Sequence, residues 1–450
     1  MRRRLCLTAL ALWMMGTLCG CSLPNLSLNP QDLYALPTLP AKYTELNACL
    51  SEILDSGAEY AAPTSGANIQ PVQVTDLDGD GKEEALAFFR NASEEKPLKI
   101  YIFTADADSY RQTDLIEGSG TGIYSVAYTD LDGDGKSELL VGWRATAELQ
   151  VLEVYALRPG GLESLVRGEY VKYTTQDLDG DGRQELVILH ADEEGAGVAD
   201  YYNWQSDGSL AAQSSARLSI TMAELNQQGR VTQAALAENV PALFVTGVTE
   251  DSRAVTDLLT VRNGELSNVV LSALTGVSTE ISPFCTLYPM DINGDGLTEV
   301  PAAARFLSPE DPSLYYQWVE WYSYDQSGQS QLALRTYHAT EDGWYLRLPE
   351  SWLSRIWISR SVSLDETAVT FSFLDSGNEE IPFLRITAIT GSSREARATR
   401  GGRFLLSRQA ETLYTGELLE ANDTWQYGVT ADEVREAFSL VMAEWRAGDY

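Results

Sequence analysis

Asp76-Leu-Asp-Gly-Asp-Gly-Lys-Glu-Glu84 is written four times in this chain with small changes: Asp130 to Glu138 reads DLDGDGKSE, Asp177 to Glu185 reads DLDGDGRQE, and Asp291 to Glu299 reads DINGDGLTE. Side-chain oxygens at positions 1, 3 and 5 converge on one point if the chain turns sharply, and the Gly at position 6 permits that turn. Such a set suits a hard cation wanting six to eight oxygens at about 2.3–2.6 Å, with the backbone carbonyl of position 7 added. The pattern predicts calcium loops, up to four ions in all. The expected ligands are Asp76, Asp78, Asp80, Lys82 and Glu84; Asp130, Asp132, Asp134, Lys136 and Glu138; Asp177, Asp179, Asp181, Arg183 and Glu185; and Asp291, Asn293, Asp295, Leu297 and Glu299. Lys, Arg or Leu at position 7 is no objection, because only its carbonyl is used.

The closing acid separates these loops from helix–loop–helix calcium sites, which need Glu at position 12. Position 12 holds Ala87, Val141, Ile188 and Ala302, and the acid stands at position 9 instead. Both flanks read as strands: Ile123-Tyr-Ser-Val-Ala-Tyr128 before the second loop, Leu139-Leu-Val-Gly-Trp143 after it, and Leu186-Val-Ile-Leu189 after the third. Loop starts lie 54, 47 and 114 residues apart. The last interval is close to two repeats, so a copy without its acids is expected near Asn239 to Phe244, where Pro241-Ala-Leu-Phe-Val245 resembles the strand after a loop. Periods near 50 residues with four short strands each mean propeller blades. The second unit divides into strands at about 122–129, 138–145, 148–156 and 160–167.

The loops and their spacing resemble the FG-GAP/VCBS repeat family, the integrin-α-like β-propellers, over roughly residues 68–340. That resemblance implies calcium loops joining the first and second strands of each blade. The expected fold class is mainly β: a propeller-like array of about five four-stranded blades, plus a small C-terminal α+β domain. Two roles are open for the ions. Each can pin a turn and neutralise acids that otherwise repel, or it can take part directly in holding a ligand.

Composition points the same way. Apolar residues make up 44% and aromatics 10%, enough for a globular body. The net charge of -33 disfavours nucleic acid and other polyanions as partners. Arg2, Arg3 and Arg4 precede a mostly apolar stretch, Leu5 to Leu18, too short to span a bilayer comfortably and fitting a signal peptide. It ends in Leu18-Cys19-Gly20-Cys21, which resembles the bacterial lipobox. By that resemblance Cys21 carries the acyl chains, and the protein is extracytoplasmic and anchored to the cell membrane by lipid. Pro24, Pro30, Pro37 and Pro40 mark an extended tether, and Tyr43, Leu46, Leu50, Ile53 and Leu54 follow at helical spacing. Cys49 and Cys285 either pair in an oxidising compartment or stay reduced as small apolar residues.

After residue 341 the repeat disappears. Strand-like runs occur at 344–348, 368–373, 383–387 and 404–406, and the chain ends in a helix signalled by Thr430 as N-cap and Glu433 at N3. Its apolar face is expected to run Val434, Phe438, Val441, Trp445, with Gly448 as the stop. The competing reading lets some of these strands complete the propeller. The expected organisation is a signal peptide at 1–20, a tether at 21–41, a helix and lead-in at 42–67, the propeller at 68–340 and the α+β domain at 341–450.

Two further clusters are candidates for ligand contact. Arg394, Arg397, Arg400 and Arg403 recur every three residues and either bind an anionic polymer or pair with the protein's own acids. Tyr316, Trp318 and Tyr322, with Tyr324, share one face of an expected strand, suited to sugar stacking or to ordinary blade packing. Neither His190 nor His338 sits in a metal or triad motif, and no GxSxG, Walker A or HExxH segment occurs. The expected function is therefore a non-enzymatic, surface-displayed binding or scaffold lipoprotein with a protein or glycan partner. The rivals are an extracellular hydrolase or lyase on a propeller scaffold, and an accessory subunit of an envelope complex.

Overall fold

The computed structural model describes residues 44–106, 109–158, 160–251, 253–283, 287–307, 315–353, 355–377 and 379–441. A helix, Thr44–Asp55, buries Leu46 and Leu50 one turn apart, as its apolar spacing requires. It belongs to a small unit with residues 105, 106 and 109–111; the rest of the described residues, from Glu59 onward, form a large one. Among the described residues no helix is long and apolar enough to cross a membrane.

Among the described residues the large unit is mainly β, built as six antiparallel sheets that follow one another along the chain. The second is a plain four-stranded meander of Gly122–Thr129, Glu138–Arg144, Gln150–Arg158 and Gly161–Tyr170, within a few residues of the strands read from the sequence. The third repeats it with Lys172–Gln176, Glu185–Ala191, Gly197–Trp204 and Leu210–Arg217. The first has the same four, Val72–Thr75, Glu84–Arg90, Leu98–Asp106 and Ser109–Gly118, and adds Glu59–Tyr60 on the edge of Glu84–Arg90. In all three, the closing Glu is the first residue of the second strand: Glu84 opposes Thr75, Glu138 opposes Thr129 and Glu185 opposes Gln176. The acidic loops thus join first and second strands, as the family resemblance implied.

Strands buried on both faces read as near-continuous apolar runs, and the cores explain the runs seen here. Each sheet shares a core with the next. Leu86 and Phe88 meet Val141 and Trp143, Leu140 and Leu152 meet Leu186 and Ile188, and Val187 and Leu189 meet Leu243 and Val245. Further on, Phe244 and Leu258 meet Val300 and Tyr324, and Trp318 and Trp344 meet Phe371 and Ile386. At about 1.5–3 kcal/mol per fully buried large apolar side chain, these interfaces dominate the stability of the unit.

The fourth sheet, Arg230–Leu236, Val240–Val248, Arg253–Arg262 and Glu265–Asn268, with Ile281–Pro283 added on the edge of Arg253–Arg262, occupies the place of the expected acid-less copy. It has lost the loop along with the acids. The turn Ala237–Asn239 reverses the chain directly, with Leu236 opposite Val240 and with Glu238 and Asn239 in the left-handed region at φ 64° and 58°. Two such residues make the tight reversal that the right-handed twist of a hairpin favours.

The fifth sheet departs from the expected boundary at 340/341. It comprises Val300–Leu307, Tyr315–Tyr324 and Ser330–Ala339, and then Trp344–Arg347 and Phe438–Leu440 from the region assigned to the C-terminal domain. Its first strand has shrunk to a single bridge, Met290 with Glu299, so the sheet extends on its other edge instead. The sixth sheet holds Ile356–Val362, Glu366–Leu374, Glu380–Ile389, Phe404–Arg408 and Leu413–Leu418, with a short helix at Arg394–Ala398.

The C-terminal helix starts where the sequence says and stops earlier. Thr430 and Glu433 form the reciprocal capping box, but the helix is only Ala431–Ala437. At Phe438 the backbone turns extended and pairs with Leu346, because the open edge of Trp344–Arg347 offers a ladder. Val434 and Phe438 are buried as the helical face required. Trp445 and Gly448 lie outside the described residues, as do Cys21 and Cys285.

Candidate metal sites

Each acidic loop is hung on an apolar peg. Leu77, Leu131, Leu178 and Ile292 at loop position 2 are buried in the cores below, so the aspartates on either side point outward together. The sequence reading missed these pegs, although the repeated Asp-Leu or Asp-Ile step was their signal. The closing Glu then folds back over the peg. Leu77 N–H donates to Glu84 Oε2 at 2.9 Å, Leu131 to Glu138 at 2.9 Å, Leu178 to Glu185 at 2.7 Å and Ile292 to Glu299 at 3.2 Å.

Backbone N–H groups shape the rest. Position 6 donates to the position 1 carboxylate in every loop (Gly81 to Asp76, Gly135 to Asp130, Gly182 to Asp177, Gly296 to Asp291, at 2.9–3.0 Å). Position 7 donates to position 5, as Lys82 does to Asp80 at 2.8 Å, and likewise Lys136 to Asp134, Arg183 to Asp181 and Leu297 to Asp295. Glycine is required by geometry at Gly79, whose φ is +70° and where a Cβ would sit 2.7 Å from Gly135 O of the next loop. Ser137 N–H donates to Leu77 O at 2.9 Å, so the first two loops are in direct contact.

Three of the four loops gather their acids into a cluster. Oxygens of Asp177, Asp179, Asp181 and Glu185 lie within 4.8 Å of one another, as do those of Asp76, Asp78 and Glu84, and of Asp130, Asp132 and Glu138. Oε1 of Glu84 and of Glu185 is buried without a hydrogen-bond partner. A buried carboxylate oxygen left unpaired is costly, and a cation is the partner its charge demands. These residues therefore fit a calcium ion, which would be held by the carboxylates of positions 1, 3 and 9, with position 5 joining them in the third loop. In the fourth loop Asn293 Nδ2 donates to Asp295 Oδ2 at 2.9 Å and to Glu299 Oε1 at 3.3 Å, so the chain itself fills that role. Neighbours differ too: Arg158 Nη1 stands 3.8 Å from Asp132 Oδ2, and Asn203 Nδ2 donates to Asp179 Oδ2 at 3.2 Å.

Burial, helped by the neighbouring aspartates and opposed by the backbone N–H, pushes Glu138, Glu185 and Glu299 up to about 7, and raises Glu84 as well. Folded pKa values lie above the ordinary 4.5, so the calcium-free fold binds more protons than the unfolded chain between about pH 4.5 and 7. Stability contributed by these protons is complete below about 4.5 and is lost as pH rises through 7. A calcium ion held by these carboxylates would compete with the same protons, so its contribution would grow over that window. The gap between melting temperatures with and without calcium is expected to be wider at pH 8 than at pH 5; a gap that narrows would contradict this.

The two other clusters are placed differently. Arg397 pairs with Asp365 at 3.1 Å, Arg403 grips Glu366 with two nitrogens at 3.0 and 3.2 Å, and Arg394 donates to Gly391 O and Ala410 O. These three arginines are thus engaged by the protein's own groups, while Arg400 lies exposed at the following turn. Trp318 and Tyr324 are buried, on the cores toward the sixth and fourth sheets respectively. Tyr322 is half-buried and donates to Glu320 at 2.7 Å; the Tyr316 side chain is outside the described set. The structure does not assemble an exposed aromatic platform from Trp318, Tyr322 and Tyr324. His190 Nε2 contacts Asp200 at 2.8 Å and Ser215 donates to the other oxygen of Asp200. The acid sits between the two, so the serine does not meet the imidazole as a nucleophile would need.

Comparison with known proteins bears on the loops. Residues 76–141 match the family model described as an FG-GAP-like repeat. No curated protein matches the chain in sequence. Solved structures similar to it include a protein from Lactobacillus plantarum (12% identity, covering 71% of this chain and 85% of that one, TM-score 0.25). They also include the Chaetomium thermophilum Sqt1 (12%, 79% and 95%, 0.31) and the fission yeast SREBP-SCAP binding domains (9%, 83% and 80%, 0.31). At these TM-scores the likenesses add nothing to the argument from the loops. The segment carrying the first two acidic loops, from Asp76 to Val141, is thus the part of the chain that is similar to an FG-GAP-like repeat.

Proposed function

We propose that this chain is a calcium-stabilised binding or scaffold lipoprotein, held at the outer side of a bacterial membrane by lipid on Cys21. The observation that carries the calcium reading is the pair of buried, partnerless oxygens on Glu84 and Glu185 beside clustered aspartates. Bound calcium would supply positive charge that ties the first strand, the loop and the second strand of a blade together. Extracellular calcium modules bind at roughly 10⁻⁴–10⁻³ M, a range in which occupancy follows the calcium outside the cell. The export reading rests on Arg2–Arg4, the apolar stretch to Leu18 and the lipobox-like Leu18-Cys19-Gly20-Cys21. The strongly acidic surface favours protein or neutral glycan partners over polyanions.

Equilibrium dialysis of the whole chain against calcium tests the ion sites. Asp78→Ala, Asp132→Ala and Asp179→Ala are each expected to remove one bound ion, and a chain that binds no calcium at 1 mM (about ten times the tighter expected dissociation constant) would sink the reading. Cys21→Ser should move the protein from the membrane pellet to the supernatant.

A further inference from the structure

We propose that the four loops are unequal, and that the fourth closes on itself through Asn293 and binds calcium at least about ten-fold more weakly than the other three. The inference rests on the calcium reading and sharpens it. Asn293 Nδ2 bridges Asp295 Oδ2 and Glu299 Oε1, at 2.9 and 3.3 Å. That Glu299 oxygen is the counterpart of Glu84 Oε1 and Glu185 Oε1, which have no partner. The amide therefore stands where a cation would satisfy the same oxygen.

The orientation of the amide is fixed by a second bond. Asn293 Oδ1 accepts the Asp295 N–H at 2.9 Å, so reversing the amide would set a donor against a donor. To present its oxygen to an ion, Asn293 must give up the Nδ2 contacts to Asp295 and Glu299. At positions 1, 3, 5 and 9 the loop also brings three carboxylates where the others bring four. Sheet four, immediately before it, has gone one step further and replaced its loop with the three-residue turn Ala237–Asn239. The second half of the array thus depends less on ions than the first.

Calcium titration of the whole chain, read as bound ions per chain by equilibrium dialysis, tests this. Three ions of similar affinity are expected, with the fourth at least ten-fold weaker. Asn293→Asp should bring the count at the same free calcium from three to four, whereas Asp179→Ala should bring it to two. Four equivalent ions in the unaltered chain, or an unchanged count in Asn293→Asp, would overturn the inference. A chain binding no ion at all would overturn the calcium reading itself, which is a different result. Melting in EGTA gives an independent readout: Asn293→Ala should lower the calcium-free melting temperature, and Asp78→Ala should not. A fall in both, or in neither, would count against the amide as the internal replacement.

Discussion

Stripping calcium from the chain with EGTA is expected to lower its melting temperature by about 5 to 12 °C relative to about 1 mM calcium. At a dissociation constant near 0.1 mM, each occupied site adds about 1.4 kcal/mol, and three sites add about 4 kcal/mol. Unfolding entropy near 2.1 cal/mol/K per residue converts that to degrees. If the roughly 400 described residues melt as one unit, the shift is about 5 °C; if the first three sheets melt alone, it is about 12 °C. The cores argue for the smaller figure, since the third sheet shares Val187 and Leu189 with Leu243 and Val245 of the fourth without a break. A two-step melt whose first step alone responds to calcium would place the break between the ion-bearing sheets and the rest. Identical melting in calcium and EGTA would remove the ions from the account of this fold.

The parts of the molecule legible in the sequence are those where local chemistry leaves few choices. An acidic turn of this kind dictates residue type at positions 1, 3, 5, 6 and 9, and its four copies marked both the loops and the strands that flank them. The capping box at Thr430 and Glu433 likewise specified its helix start, since both bonds are made within four residues. What the sequence concealed depends on partners far along the chain. Phe438 and Val441 continue a helical period, yet the open edge of Trp344–Arg347 draws Phe438–Leu440 into a sheet. The arginines near 400 look unopposed until the hairpin at Asp365 and Glu366 is folded against them. The aromatic run Tyr315–Tyr324 looks like a one-sided platform, but its strand lies between two neighbours with cores on both faces, and a bulge between Trp321 and Tyr322 breaks the alternation. Asn293 is the subtlest case. By residue type it is an acceptable third ligand, and only the observed bonds of its amide set it apart.

Glu185→Gln is expected to stabilise the calcium-free chain and to lose most or all of that gain once calcium is added. In the calcium-free chain Glu185 is buried with one oxygen accepting from Leu178 and the other unpaired, facing Asp177, Asp179 and Asp181. Glutamine keeps an acceptor for Leu178 and turns an amide donor toward the aspartates, as the Asn293 amide donates to carboxylates from position 3 of the fourth loop. Removing one unsatisfied buried charge is worth about 1–3 kcal/mol, so the variant should melt higher than the parent in EGTA. In about 1 mM calcium the same change deletes an anionic ligand, and up to about 1.4 kcal/mol of linkage at that site is lost. Calcium therefore raises the parent more than the variant, and the two melting curves converge or cross as calcium is added. The variant should also lose the share of the pH response that Glu185 carries, because glutamine has no proton to release near pH 7. A variant that melts below the parent in both conditions would mean that the carboxylate serves the fold through its own bonds, with no cation behind it.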